Sequence, residues 1–423
     1  MVFIPFIYFS MLTVYWWIKH HGLDVCVYIS ALYAFTSFCS VAIVLGDLVD
    51  PNGGILFDKY DLEMGITPTL LYCVLITMGI FPFSLIYNRE IKQVESSSSL
   101  VLEGFCWVLF FVFLINIYLI ADSTIEILSG DLSTVRMDHY NGIQSPAEIK
   151  AQNMPVLFKY ILYLRQTTIL ALPLFFYYNC FSKKQWWFKA MLIAISLTVP
   201  LFGLQMADRT EFTLYGMMFI FCLVFFKKYL TKRFKIKLAI IGSPFILAIL
   251  IYIVAVSQAR FAKGGDNNKA YAAALQYAGQ NYLNFCYFWE HAKTDHITAE
   301  REFPFIYHTL MHIDSDPERR SERSGEQGFF ISVFPSFAGD IMLDLSVAGA
   351  LIWFVLYFFI CIALIRYAHR EVYDIGDILA IFVLSAIPIF GIFYYKFYNI
   401  TYSYLIISTS IIYLFTKVNV VYK

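Results

Sequence analysis

Two cationic side chains fall inside a long apolar stretch, where a positive charge is costly unless it has a partner or a ligand. Lys159 and Arg165 both lie in the run 156–180, and Arg165 falls well inside it. An ionisable group at membrane depth indicates a binding function by default, and an ion pair is the structural alternative. We treat both as candidate substrate-binding residues. Their candidate ion-pair partners are Glu103, Asp340 and Asp344.

Three further arginines are candidates for binding a diphosphate. Arg209 lies in a tight turn between two apolar runs, Arg260 follows the end of another, and Arg301 lies in the same long polar connection as Arg260. A guanidinium group binds phosphate oxygens in a bidentate manner and remains charged, so arginines that converge at one depth suit this ligand. For Arg209 and Arg260, the alternatives are lipid headgroups or ion pairs with Asp208 or Glu211.

Two histidines could act on a hydroxyl group. His308 and His312 are four residues apart, so they share one face if that stretch is helical. Thr309 stands where the zinc-binding HExxH motif has its Glu, and no nearby Cys or carboxylate completes a ligand set. We therefore predict no metal and no cofactor. A histidine titrates near neutral pH and can serve as a general base, although a plain surface position is the alternative.

Two aspartates, Asp340 and Asp344, are also four residues apart, at the start of the apolar run 338–365. Acidic residues near a helix N-terminus are favoured by the helix dipole, which is the structural interpretation. Either aspartate could instead pair with Arg165 or act as a general base. The sequence leaves the choice of general base open among His308, His312, Asp340 and Asp344.

The composition determines which elements must position these residues. Of 423 residues, 59% are hydrophobic and only 15% are charged, and the mean hydropathy is +0.64. Soluble globular chains carry about 25% charged residues, so most of this chain must lie in lipid. The 31 basic residues are balanced by 31 acidic ones, which argues against a nucleic-acid partner.

The apolar residues form eleven stretches. A helix that crosses a bilayer needs about 20 apolar residues, and each stretch is a candidate for one such helix. We therefore predict an all-α fold, a polytopic integral membrane helix bundle of about eleven spans, with residues 1–423 forming a single transmembrane domain. The predicted spans are 2–18, 24–48, 66–87, 100–121, 156–180, 190–207, 211–226, 238–257, 338–365, 378–395 and 400–416.

Lys and Arg are unevenly distributed over the connections, with 16 on one side and 5 on the other when the longest connection is left aside. The positive-inside rule then places the C-terminus in the cytoplasm and, with eleven spans, the N-terminus outside. The two long connections, 122–155 and 258–337, lie outside, so the chemistry is expected there. Within the second, residues 268–291 are predicted to form an amphipathic helix on or in the outer leaflet.

Four short motifs occur in the order found in bacterial oligosaccharide repeat-unit polymerases of the Wzy type. The run 337–349 resembles that family's entry into a late span, with Leu345 and Ser346 where the family often has Phe and Gly. Residues 207–210 resemble its GSR turn, Arg260 opens the long outer loop, and 276–285 resemble its YxxGxxxxF stretch. The chain is thus similar to the O-antigen polymerases.

The resemblance implies a GT-C-like membrane glycosyltransferase of the bacterial inner membrane, active on the periplasmic face in lipopolysaccharide biosynthesis. Such an enzyme transfers a growing glycan from undecaprenyl diphosphate to a new lipid-linked repeat unit. Arginines neutralise the diphosphate without a metal, and an outer-loop His or carboxylate takes the proton of the acceptor hydroxyl. The implied partners are undecaprenyl-diphosphate-linked oligosaccharides, the lipid bilayer and a chain-length regulator, but no nucleic acid.

Two other functions stay open at this stage. An O-antigen ligase would share the topology, the long outer loop and the use of arginines. A flippase or another transporter of lipid-linked oligosaccharides would explain cations within the spans. Transporters usually consist of repeated halves, and the sequence shows no such repeat.

Overall fold

The fold is described from a computed structural model of the chain. The described residues are 1–49, 54–57, 64–87, 90–91, 96–129, 146–182, 184–205, 210–240, 242, 267–293, 299–312, 324–331, 333–367 and 372–421.

Helices make up most of the described residues, as the composition predicts, because a backbone in lipid must satisfy its own polar groups. The α-helices are α1 (Phe3–Lys19), α2 (Val25–Leu45), α3 (Ile66–Ile80), α4 (Ser96–Ser129), α5 (Pro146–Gln152), α6 (Val156–Tyr163), α7 (Ala171–Phe181), α8 (Trp186–Ser196), α9 (Thr198–Gln205), α10 (Thr210–Phe225), α11 (Asn267–His291), α12 (Ser336–Tyr367), α13 (Ile375–Phe390) and α14 (Ile400–Val421). The 3₁₀ segments are Phe81–Ile86, Leu164–Leu170 and Lys396–Tyr398, and Phe305–Leu310 is a π-helix.

Five helical segments of the described chain are long and apolar enough to cross a membrane. They are Val25–Leu45, Ile66–Ile86, Val101–Ala121, Trp186–Gly203 and Ser336–Arg366. Three shorter apolar helices are Phe3–Lys19, Thr210–Phe225 and Ile375–Phe390. The all-α class is confirmed, the apolar helices support a membrane protein, and the count of eleven spans stays a prediction.

Large apolar side chains on the outer surface of α12 agree with a membrane environment. Ile352 is 62% exposed and Phe359 is 61% exposed, and Leu356 lies between them on the same helix with a similar exposure. Soluble monomers rarely expose contiguous apolar patches of this kind, whereas lipid tails can cover them.

The chain divides into two compact units. The first consists of Met1–Arg89, Tyr271–Glu371 and Ile381–Ser403, and the second of Glu90–Ala270, Val372–Ala380 and Tyr404–Lys423. In the first unit, α1 packs against α2 and α3, and α12 packs against α3. In the second unit, α4 packs against α6, α8 and α9.

A small parallel pair of strands belongs to the second unit. β1 (Glu90–Ile91) pairs with β2 (Val372–Tyr373), with Glu90 opposite Val372. Asp374 and Asp377 follow β2. Lys417 of α14 forms ion pairs with both, at 2.8 and 2.7 Å. Each of these aspartates also accepts a backbone N–H from the other, which ties the start of α13 to the end of α14.

The helix predicted to lie on the outer leaflet forms instead part of the interior of the first unit. In α11, the residues from Gln280 to Cys286 are all buried. A Cβ atom on Gly279 would lie 2.5 Å from the backbone nitrogen of Ser40 in α2, so glycine is needed for this close approach. Asn281 also donates a hydrogen bond to the Ile392 carbonyl at 2.7 Å. The prediction failed because an amphipathic pattern identifies an apolar face but not what covers it.

The helix that carries both candidate aspartates is interrupted. Within α12, Ser346 has φ 65° and ψ 175°, a backbone conformation that is essentially restricted to glycine. The beginning of α12 is held by two backbone hydrogen bonds, from Ser336 to the Phe393 carbonyl at 3.0 Å and from Phe337 to the Gly391 carbonyl at 2.9 Å. Asp344 therefore lies just before a break in a helix whose first turn is fixed.

Candidate functional site

A buried ion pair joins the long polar connection to α12. Arg301 Nη1 lies 2.6 Å from Asp340 Oδ1, and the two side chains are 12% and 2% exposed. The other Asp340 oxygen accepts the backbone N–H of Tyr395 at 2.7 Å. The Arg301 guanidinium lies 5.0 Å from the centre of the Tyr398 ring, in cation–π contact. Both oxygens of Asp340 are thus occupied within the first unit.

Asp344 lies one helical turn further along and is fully buried. Its Oδ2 atom accepts the backbone N–H of Arg301 at 3.0 Å, so the Arg301 backbone and side chain contact both aspartates. The four-residue spacing places Asp340 and Asp344 on one face of α12, as the sequence predicts. The role of either aspartate as a general base stays a prediction.

Glu302 is a third acidic residue in this cluster, and the sequence analysis did not select it. Its side chain is buried, and neither carboxyl oxygen accepts a hydrogen bond from any described residue. The carboxyl group lies within hydrogen-bonding contact of Asp344. Burial raises the pKa of Glu302 well above its usual range, and the contact with Asp344 raises it further, whereas Arg301 lowers it in part. These influences together favour the neutral form of the Glu302 carboxyl group.

Arg301 remains a cation in this environment. Burial is the largest influence on its pKa and lowers it, but the negative charges of Asp340 and Asp344 outweigh burial and raise the pKa overall. The guanidinium Nε is buried and has no hydrogen-bond partner among the described residues. Because Nη1 is held by Asp340, the geometry favours Arg301 as a positioning residue over the predicted role as a diphosphate ligand.

The arrangement supplies the parts needed for general base chemistry. A backbone N–H fixes the orientation of the Asp344 carboxyl group, and the raised pKa of Glu302 beside it favours a neutral carboxyl group there. Two carboxyl groups at one buried site cannot both ionise, so one of them retains a proton. The site can therefore accept one proton from a hydroxyl group that approaches it.

The other predicted cations fall elsewhere or outside the described residues. In the second unit, the Arg165 guanidinium carbon lies 3.2 Å from the centre of the Phe202 ring. Lys159 belongs to α6 of the same unit. The run 156–180 that carries both is helical throughout, but it is not a single α-helix, because the 3₁₀ segment Leu164–Leu170 joins α6 to α7. Arg209 and Arg260 lie outside the described residues.

The proposed ion-pair alternatives for Arg165 have other partners in the structure. Asp340 pairs with Arg301, and Glu103 pairs with Lys184 at 2.6 Å. The sequence analysis did not foresee Arg301 as a partner for Asp340, because residues 39 positions apart along the chain reveal no contact by their spacing.

The two histidines do not form the expected pair on one α-helical face. His308 lies in the π-helix Phe305–Leu310, where five rather than four residues separate hydrogen-bonded groups. His312 follows the end of that helix, is exposed and has a positive φ of 52°. Within the described part of the chain, no three His, Cys, Asp or Glu side chains are grouped to hold a metal ion.

Glu302 could have been selected from one signal in the sequence. Glu302 and the oppositely charged Arg301 are adjacent in the sequence, directly before Phe303-Pro304-Phe305. Charged residues next to an apolar segment are often buried only when they are paired. The signal indicates burial, but it does not identify Asp344 as the neighbour.

No protein-family model, curated protein or solved structure matches this chain.

Proposed function

We propose that this chain is a membrane glycosyltransferase that polymerises undecaprenyl-diphosphate-linked oligosaccharide repeat units into O-antigen or a related surface polysaccharide at the periplasmic face of the inner membrane. The main supporting observation is the buried Asp344 carboxylate beside Glu302, just before the helix break at Ser346. This stretch is also the one that resembles the Wzy-type polymerases.

In the proposed reaction, a hydroxyl oxygen of the acceptor sugar forms a bond to the anomeric carbon of the donor glycan. The bond from that carbon to the diphosphate oxygen breaks, and undecaprenyl diphosphate leaves with the electron pair. The hydroxyl proton passes to Asp344, which acts as the general base. Proton, glycan and leaving group are then all accounted for without a nucleotide or a metal.

The leaving diphosphate gains negative charge, so fixed cations near it stabilise the transition state more than the ground state. Arg209 and Arg260 are the residues proposed for this role, on the residue types alone, with Arg165 and Lys159 as further candidates. Arg301 is assigned to positioning, because its guanidinium already pairs with Asp340. Lysine in place of an arginine that binds the diphosphate in a bidentate manner would offer a single point charge instead of two parallel N–H donors. It should therefore bind the diphosphate more weakly.

The test is a gel of surface lipopolysaccharide from the source bacterium with this gene deleted and restored as variants. We expect the deletion strain to carry core with a single repeat, and Asp344→Asn to reproduce that pattern. Glu290→Gln is the matched control, since Glu290 is exposed at the surface, so its ladder should be normal.

Other gel patterns would contradict the proposal. Bare core with polymer accumulating on the lipid carrier outside would indicate a ligase, and bare core with single units accumulating inside would indicate a flippase. A full ladder in the deletion strain would mean that this chain does not make that polymer. A full ladder in Asp344→Asn alone would remove Asp344 from the mechanism.

A further inference from the structure

Glu302 belongs to the polar cluster formed with Arg301, Asp340 and Asp344, and the proposed reaction gives it no role. Glu302 is 9% exposed, and both its carboxyl oxygens lack a hydrogen-bond donor among the described residues. A buried carboxylate without donors is very costly, because its charge is neither solvated nor paired. The cost disappears if the carboxyl group is protonated and its O–H donates a hydrogen bond to a neighbouring acceptor.

The available acceptor is Asp344. The Arg301 N–H bonds to one Asp344 oxygen at 3.0 Å, and this contact brings the next residue, Glu302, against the same carboxylate. We propose that Glu302 is a protonated positioning residue that donates a hydrogen bond to Asp344 and leaves Asp344 as the single carboxylate able to receive a proton. This inference rests on the proposed function for the role of Asp344 but not for the shared proton.

The charges around the pair support this assignment. Arg301 pairs with Asp340, and Tyr395 and Tyr398 from the segment after α13 lie against the same cluster. With one proton shared by Glu302 and Asp344, the three carboxyl groups and one guanidinium carry a net charge of about −1. Without that proton, the buried site would carry a second uncompensated negative charge.

The same charge identifies the chemical class of group that enters the site. A diphosphate would be repelled by a cluster with net negative charge, whereas a neutral hydroxyl can donate a hydrogen bond to Asp344. The cluster is therefore assigned to the acceptor sugar hydroxyl, and the diphosphate must be bound by cations elsewhere on the chain.

The first test measures the proton directly and does not depend on activity. Infrared spectra of the purified full-length protein in detergent at neutral pH should contain a carboxylic-acid C=O band that is absent from Glu302→Gln. Glu290→Gln is the matched control, because Glu290 is exposed at the surface, and its spectrum should keep the band. A band that Glu302→Gln leaves unchanged, or that appears only in acid, would overturn the proposal.

The second test measures the positioning role with lipid-linked repeat units as substrate. Glutamine still donates a hydrogen bond, so Glu302→Gln should retain activity within a few-fold, whereas Glu302→Ala should lose about 10- to 100-fold, as is typical for lost orienting partners. Raising the pH ionises Glu302 in the wild type, so its rate should fall in alkaline solution. Glu302→Gln has no such proton and should lack this decline.

The outcomes separate the two proposals. If the wild type polymerises no substrate but the infrared band depends on Glu302, the polymerase function fails and the shared proton stands. If polymerisation occurs and Glu302→Gln is as inactive as Glu302→Ala, the positioning role fails and the function stands.

Discussion

At the residue scale, Arg301 and Asp340 illustrate why a buried charge must have a partner. Their side chains are 12% and 2% exposed, so neither can be solvated when the other is removed. Removing one member of a buried pair costs about 3–5 kcal/mol, whereas replacing both by apolar side chains is often close to neutral. This asymmetry gives a measurable signature.

We predict that Asp340→Leu lowers the free energy of unfolding by about 3–5 kcal/mol. The double variant Arg301→Met, Asp340→Leu should recover part of this loss, because the Tyr395 N–H lacks its Asp340 acceptor in both variants. The measurement is a double-mutant cycle from unfolding of the protein in detergent. Lys184 and Glu103 provide the control, because they are also 2.6 Å apart but are 36% and 25% exposed.

Exposed pairs contribute only about 0–1 kcal/mol, so the control cycle should give a much smaller coupling energy. Equal coupling energies in the two cycles would show that Arg301 and Asp340 are solvated in the protein. The positioning role assigned to Arg301 would then have no energetic basis.

At the element scale, the break in α12 is the feature that separates Asp344 from the rest of the helix. The Ser346 φ of 65° with ψ of 175° is costly for any residue with a Cβ atom, by about 1–3 kcal/mol. Glycine adopts this conformation without that cost, although it loses more entropy on folding.

We predict that Ser346→Gly raises the stability of the protein by about 1 kcal/mol and preserves activity. Ser410→Gly is the matched control, because Ser410 lies in α14 on an exposed helical position. There, glycine should lower the stability by about 0.5–1 kcal/mol. Thermal unfolding of both variants in detergent checks the difference, and a destabilised Ser346→Gly would argue against the interruption.

At the scale of the whole molecule, the orientation in the membrane is the property that decides where the chemistry occurs. The distribution of Lys and Arg predicts that the long connection 258–337 lies outside and that the basic connection near 227–237 lies inside. Glu326 and Lys232 are both exposed, and they lie in these two connections.

We predict that the thiol introduced by Glu326→Cys reacts with a membrane-impermeant maleimide from the periplasmic side of intact cells. The thiol introduced by Lys232→Cys should react only after the membrane is opened. The eight native cysteines are free, and seven are buried, so the unmodified chain serves as the background control. The reverse pattern would place Asp344 chemistry on the cytoplasmic side and exclude a periplasmic polymerase.

The helical class, the apolar segments long enough to cross a membrane and many element positions follow from the amino-acid sequence alone. The run 211–226 corresponds to Thr210–Phe225, and the run 400–416 to the first part of Ile400–Val421. These succeed because hydrophobicity over about 20 residues is a local property that lipid selects directly. The same local pattern identified Asp340 and Asp344 as neighbours on one helical face.

Tertiary contacts determine which charges meet and which helices are buried by protein. The Arg301–Asp340 pair, the orphaned carboxyl group of Glu302 and the insertion of α11 at Gly279 all depend on contacts between distant parts of the chain. Sequence spacing contains no information on such contacts, because an amphipathic face or a charged residue fits water, lipid or protein equally well until packing selects one. The contacts of the site therefore form only on folding, although the sequence predicted the helices that contribute its residues.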